Sequence, residues 1–100
     1  MSYADQVVAA RRLAILLALY FAAGYTMQRA VLRDQVERTG FVTSHDKFAS
    51  EISWLAEMGL VDPLEIDAVM LSARGEDVAL GRIQEPGVRR PSPGELKGGS

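Results

Sequence analysis

Residues 43–61, TSHDKFASEISWLAEMGLV, decide how the rest of the chain is read. Thr43 and Ser44 are hydroxyl residues of the kind that accept a bond from the free N–H groups at a helix start. Thr43-Ser-His-Asp46 also has the [ST]-x-x-[DE] spacing of a capping box, with Asp46 placed well for the positive end of the helix dipole. A helix is therefore expected from Thr43 or Ser44. Phe48, Ile52 and Leu55 recur at helical spacing and share one face, which should point into a core. Gly59 then supplies the left-handed residue of a Schellman ending, and Leu60 lands where it can touch Leu55. The chain passes at once into an apolar strand start.

Length and composition bound the surroundings of this segment. One hundred residues make one small domain, and 48% apolar content is enough for a single core. A formal net charge of −2 means that any basic footprint for a polyanion has to be local. The absence of cysteine excludes disulfides, thiolate metal sites and cysteine nucleophiles together.

Upstream, residues 3 to about 23 read as one long helix, rich in Ala and Leu, that Gly24 stops. Arg11-Arg12 followed by LAILLALYFAAG imitates a signal peptide. Asp5 in the would-be basic region, and the loss of core that cleavage would cause, favour a buried helix instead. The uncharged run 13–28 falls short of the roughly 20 residues that a membrane span needs. Leu13, Leu16, Leu17 and Tyr20 line one face of this helix, while Ile15, Leu19 and Ala22 occupy another, so it needs cover on more than one side. Ala10, Ala14, Ala18 and Ala22 form a small-residue ridge that would let a partner helix approach closely. With Leu19, these residues are the candidate homodimer interface; the alternative is that the fold's own helices and C-terminal segment cover both faces.

A second helix is expected over 27–39, capped by Thr26 and ended by Gly40. Val31, Leu32 and Val36, with Met27 at the margin, form its buried arc. Arg29, Arg33 and Glu37 point away, and Asp34 precedes Arg38 in the favourable i,i+4 order. Downstream, 60–66 and 68–72 are β-prone runs, with Pro63 tolerable only on an edge or at a bulge. The turn around Ile66-Asp67-Ala68 has no glycine and no assignable type. Ser72 can cap a short last helix over 73–80, weakened by Gly75 and closed by Gly81. From Gln84 on, Pro86, Pro91 and Pro93 with several glycines interrupt regular structure, and residues 84–100 are expected to be a mobile Pro/Gly-rich tail. The final Gly-Gly-Ser is given no meaning.

The order helix, helix, helix, strand, strand, short helix describes a mainly α chain with a small β-hairpin. It resembles winged helix-turn-helix proteins, with residues 1–83 as the domain. The resemblance extends to small proteins of Mu-like phages and prophages often labelled arsenic-repressor-type regulators. It is carried by Arg11-Arg12-Leu13, by ISWLAEMGLV at 52–61, by ARGEDVALGR at 73–82 and by PGVRRP at 86–91. What it implies is a trihelical domain with a wing, a bacterial cytoplasm and DNA binding, which with pairing through the first helix would make a dimeric transcriptional regulator-like module.

The residues themselves give that function mixed support. In a winged helix used on DNA, the third helix enters the major groove. Here its outward face carries Asp46, Ser50, Ser53 and Glu57, with Lys47 as its one cation apart from a protonatable His45. The wing tip adds Glu65 and Asp67, which repel phosphates. Candidate double-stranded-DNA contacts are Arg29, Arg33, Arg38, Ser44, His45, Lys47, Ser50, Arg89 and Arg90. The rival reading is a winged helix that binds a protein partner, with the first helix paired and the acidic third-helix face meeting a basic surface. Lone His45 has no neighbours for a metal site, and Trp54 is expected to pack against the wing or a dimer mate. Glu51 and Glu57 lie on different faces and form no acid/base pair. No cofactor, metal, membrane or catalytic role is expected.

Overall fold

The computed structural model of the chain describes residues 2–97, which leaves the final Gly-Gly-Ser outside the described residues. It has four helices and a three-stranded antiparallel sheet in the order α1 Tyr3–Tyr20, β1 Thr26–Gln28, α2 Arg29–Arg38, α3 His45–Glu57, β2 Val61–Leu64, β3 Ala68–Leu71 and α4 Ala73–Ala79. The chain is mainly helical, as its periodicities predict, but the sheet is more than a hairpin.

Helix α1 starts where the Ser2 hydroxyl accepts the Asp5 N–H at 3.1 Å. It ends at Tyr20 rather than near residue 23, because Gly24 and Tyr25 take left-handed backbone angles (φ 64° and 54°) within a short 3-10 turn. Leu13, Ile15, Leu16 and Leu19 have no exposed surface. α2, α4 and β3 all pack on α1, so this chain itself covers most of the helix that is apolar all round. Leu19 is thereby removed from the candidate dimer interface: its side chain belongs to the chain's own core.

The expected second helix over 27–39 is corrected at its start. Thr26 does not cap it; its backbone is extended, and its hydroxyl donates to the Gly24 carbonyl at 2.8 Å. Residues 26–28 are instead a strand paired with β3, Met27 standing opposite Val69. The distant edge of β3 decides this, since it offers ladder bonds that a three-residue helix extension cannot match. The first N–H of α2, from Arg29, donates to the Asp67 carbonyl at 2.8 Å. Leu32 and Val36 are fully buried, whereas Val31, expected in the same arc, is 49% exposed. Gly40 (φ 105°) ends the segment as expected.

Helix α3 is capped by Ser44, whose hydroxyl accepts the Lys47 N–H at 3.1 Å. Thr43 is one residue too early: it is buried, and its hydroxyl donates to the Phe41 carbonyl at 2.8 Å, so the Thr43–Asp46 capping box does not form. The other end is as read. The Leu60 N–H reaches the Leu55 carbonyl at 2.9 Å and the Gly59 N–H reaches Ala56 at 3.0 Å, the two bonds of a Schellman motif around Gly59 (φ 74°). Phe48, Ile52, Leu55 and Leu60 all enter the core.

β3 is the central strand, and Pro63 lies on the edge strand β2 opposite Val69, where its missing N–H costs no ladder bond. The β2–β3 turn places Ile66 and Asp67 both in the left-handed region (φ 62° and 60°) without glycine, which is why its type is illegible in sequence. Ser72 caps α4 by accepting the Gly75 N–H at 2.9 Å, and its own hydroxyl donates to the Gly59 carbonyl at 2.6 Å. α4 thus starts from the glycine that ends α3.

Two expectations about the last third are overturned. Gly75 is not a weak point in α4: a β-carbon there would run into the Leu60 carbonyl and lie 2.7 Å from a Leu71 methyl, so glycine lets the helix seat against the α3 ending. The segment after residue 84 is not free over 84–91 either. It returns along α1, burying Val88 to 7% exposure and donating the Arg89 N–H to the Ala9 carbonyl at 3.2 Å. Proline and glycine exclude regular structure there, but not docking. Gly75→Ala is therefore expected to lower unfolding free energy by about 2–3 kcal/mol, the cost of overpacking a tight backbone approach, read as a fall in the urea midpoint at unchanged slope. A neutral or stabilising result would contradict this account of Gly75.

Candidate functional site

The polar heart of the molecule lies between α1 and α3. Glu51 is three residues after Phe48 and four before Leu55, so helical spacing turns it inward with them. Its carboxylate accepts from Arg11 Nη1 at 3.1 Å and from Arg12 Nε at 2.9 Å. The side chains of Arg11 and Glu51 are each 6% exposed, and that of Arg12 is 16% exposed. One carboxylate thus serves two guanidiniums, and the cluster keeps an excess positive charge. Arg12 also lies over the Trp54 ring, 3.7 Å from its centroid, and donates from Nη1 to the Gly87 carbonyl at 3.2 Å. Gly87 has φ 95°, and a β-carbon there would come within 2.9 Å of Arg12 Nη1 and 3.0 Å of the Trp54 ring. Trp54 packs as expected, but against α1 and the C-terminal segment rather than against a wing.

The cluster is not legible as such in the sequence, where Arg11-Arg12 reads as the basic start of an apolar run and Glu51 only as a carboxylate on a different helix face from Glu57. Its signal is present nonetheless: Glu51 falls on the apolar stripe of Phe48 and Leu55, and Arg11-Arg12 sit at the head of a helix that is apolar all round.

Beside it, the Ala ridge of α1 faces an open groove. Ala10, Ala14, Leu17, Ala18, Phe21 and Ala22 form one wall, Met27 and Phe41 supply further apolar surface, and the space is about 640 Å³. Gln35, Thr39, Arg89 and Glu95 border it. Four of the five candidate dimer residues therefore do lie together on an accessible apolar surface. Glu95 holds the C-terminal segment at the rim. It accepts from Arg89 Nη2 at 2.6 Å and from the Ser92 N–H and hydroxyl, each at 2.7 Å. Partial burial alone would raise its pKa, but the Arg89 hydrogen bond, the two Ser92 bonds and the Arg89 charge outweigh burial and lower it.

The candidate DNA contacts do not converge on one basic surface. Arg29 Nε is 3.6 Å from Asp67, Arg33 pairs with Glu37 at 3.2 Å, and Arg38 pairs with Asp34 at 3.1 Å. Arg33 also donates to the Thr43 carbonyl at 3.0 Å, so it is not the outward residue that its position suggested. Arg89 is tied to Glu95, and Arg90 is exposed beside it. Ser44, His45, Lys47 and Ser50 are exposed around the first turns of α3; Ser44, Lys47 and Ser50 line a small cleft against Arg11 and Arg12. Among the described residues no three His, Cys, Asp or Glu side chains come together as metal ligands. None of the described helices is long and apolar enough to cross a membrane.

Over 86 residues the chain is 37% identical to the uncharacterized protein gp26 of Escherichia phage Mu, a match that spans 83% of this chain and 88% of that protein. The chain belongs to the gp26 family of phage proteins. No protein-family model matches it, and no solved structure does. For this gp26-family member the charge cluster and the groove are thus read from geometry alone.

Two measurements check that geometry. Glu51→Ala leaves two inward guanidiniums without their carboxylate, and about 3–5 kcal/mol of stability should be lost; a loss below about 1 kcal/mol in a urea titration would mean that the cluster is solvated. For Glu95 the folded pKa is below the ordinary 4.5, so its contribution is present above that value and disappears as pH falls through the lower folded value. The Ser92 amide resonance should accordingly titrate with a midpoint below that of an ordinary glutamate, and an unshifted midpoint would remove the pinning.

Proposed function

We propose that this phage protein is a winged-helix module used for protein–protein association in the host cell, with two copies pairing through the Ala ridge of α1. The element order supports the winged-helix part. Three helices with a strand between the first two are followed by the β2–β3 hairpin, which stands in the place of a wing, and β1 completes its sheet. The resemblance to arsenic-repressor-type regulators is kept only for this architecture, since a chain without cysteine has no thiol metal site to offer.

The observation that carries the association reading is the groove. Ala10, Ala14, Ala18 and Ala22 are each only partly covered, with no bulky side chain to hold a neighbouring backbone away, while Leu17 and Phe21 offer apolar area beside them. Small residues at every fourth position let helices approach at short interaxial distance, and the apolar area removed from water drives the contact. A regulator that reads DNA would instead need unpaired cations on and around α3. There the arginines of α2 are already neutralised by Asp34, Glu37 and Asp67, and the helix itself presents Asp46 and Glu57 beside Lys47. Charge pairing of this kind lowers the counterion release that underlies binding to a polyanion.

Light scattering after size exclusion at tens of micromolar should return twice the chain mass, and Ala18→Glu should return a single chain mass with the circular dichroism spectrum retained. A wild-type monomer under these conditions would sink the pairing. In parallel, anisotropy with a labelled duplex should show no saturable binding at moderate ionic strength; tight binding with a steep salt dependence would favour the DNA-binding regulator over the association module.

A further inference from the structure

The cleft between α1 and the start of α3, about 470 Å³, has a composition that the association reading does not use. Three cations, Arg11, Arg12 and Lys47, line it against two carboxylates, Glu51 and Asp46, which leaves one positive charge in excess. Both oxygens of Glu51 are already engaged by the arginines. Arg11 is 5% exposed, and its Nε has no acceptor, an uncompensated donor beside an uncompensated charge. Arg12 is held on three sides by Glu51, Trp54 and the Gly87 carbonyl, so its guanidinium is fixed before any ligand arrives.

The same cleft lies at the positive end of a 13-residue helix. Ser44 takes the Lys47 N–H with its hydroxyl and the Phe48 N–H with its carbonyl, which leaves the N–H groups of His45 and Asp46 without a partner among the described bonds. Ser44 and Ser50 add hydroxyl donors at the cleft wall. Fixed guanidinium, free helix N–H groups, hydroxyls and an ammonium are the donor set that an oxyanion with several equivalent acceptors satisfies. Asp46 opposes an anion, so the favourable contacts are those of the Arg12 guanidinium, the Lys47 ammonium and the serine hydroxyls.

We propose that this cleft binds one phosphate-type oxyanion, either free or as a phosphate group of a nucleic-acid backbone. The test is a titration of the full chain with sodium phosphate against sodium chloride at matched ionic strength, followed by amide and arginine Nε resonances. Phosphate should produce a saturable shift at His45, Asp46 and Lys47 and at the Arg12 side chain, and should raise the melting temperature above the chloride control. Lys47→Ala, at an exposed position, should weaken binding by roughly threefold to fivefold, as expected for one partly solvated charge. Ser50→Glu, also exposed, should abolish it while the spectrum stays dispersed. No saturable shift with phosphate, or an equal shift in Ser50→Glu, would overturn the proposal. A second arm adds a short DNA duplex to the phosphate-loaded protein: loss of the phosphate-specific shifts to the duplex assigns the site to a backbone phosphate, and their retention assigns it to a free oxyanion. Neither outcome depends on the mass of the protein, so failure of this site and failure of α1 pairing are read separately.

Discussion

A single carboxylate fixes how the two longest helices meet. Glu51 on α3 receives Arg11 and Arg12 from α1; Arg11 and Glu51 are buried, and Arg12 is largely covered where it lines the cleft. Buried ion clusters of this kind add little net stability compared with apolar packing of equal volume, but removing one member is expensive because the remaining charges have no other partner. Their effect here is on geometry. Any rotation or slip of α1 against α3 would separate the arginines from Glu51, so one arrangement of the helices is favoured over similar apolar contacts.

The cluster also organises the chain's end. Arg12 turns one nitrogen to Glu51 and another to the Gly87 carbonyl while its face covers Trp54. Gly87 can come this close only because it has no side chain and tolerates φ 95°. Once Gly87 is seated, Val88 falls into the core, and Arg89 bonds along α1 and reaches Glu95 at the rim of the groove. The segment that borders the association groove is thus positioned by the same arginine that lines the anion cleft, which links the two surfaces.

Glycine marks two kinds of constraint in this chain. Gly59 supplies a left-handed helix ending, a role with a local sequence signature. Gly75 and Gly87 are required by close approach of distant backbone and side chains, which no local pattern announces. The β2–β3 turn shows the reverse: Ile66 and Asp67 adopt left-handed angles where glycine or asparagine would be easier, so neither of those turn residues marks it in the sequence.

By itself the sequence determined what depends on neighbours within a turn or two. The core stripe of α3, its Schellman ending at Gly59 and Leu60, the Ser72 cap of α4 and the mainly helical class are all local, because helix periodicity and capping act over three to five residues. Within the candidate surfaces, the Ala ridge was legible for the same reason. Tertiary structure alone decided the rest. Strand β1 exists because β3 offers it an edge some forty residues away in sequence. Leu19 is core and Ala18 groove wall because α2, α4 and β3 cover only part of α1. Arg29 is paired with Asp67, and Arg11, Arg12 and Glu51 are drawn together, by partners that only the folded chain supplies, since a charge is a solvated surface group or a buried anchor according to what the fold places opposite it.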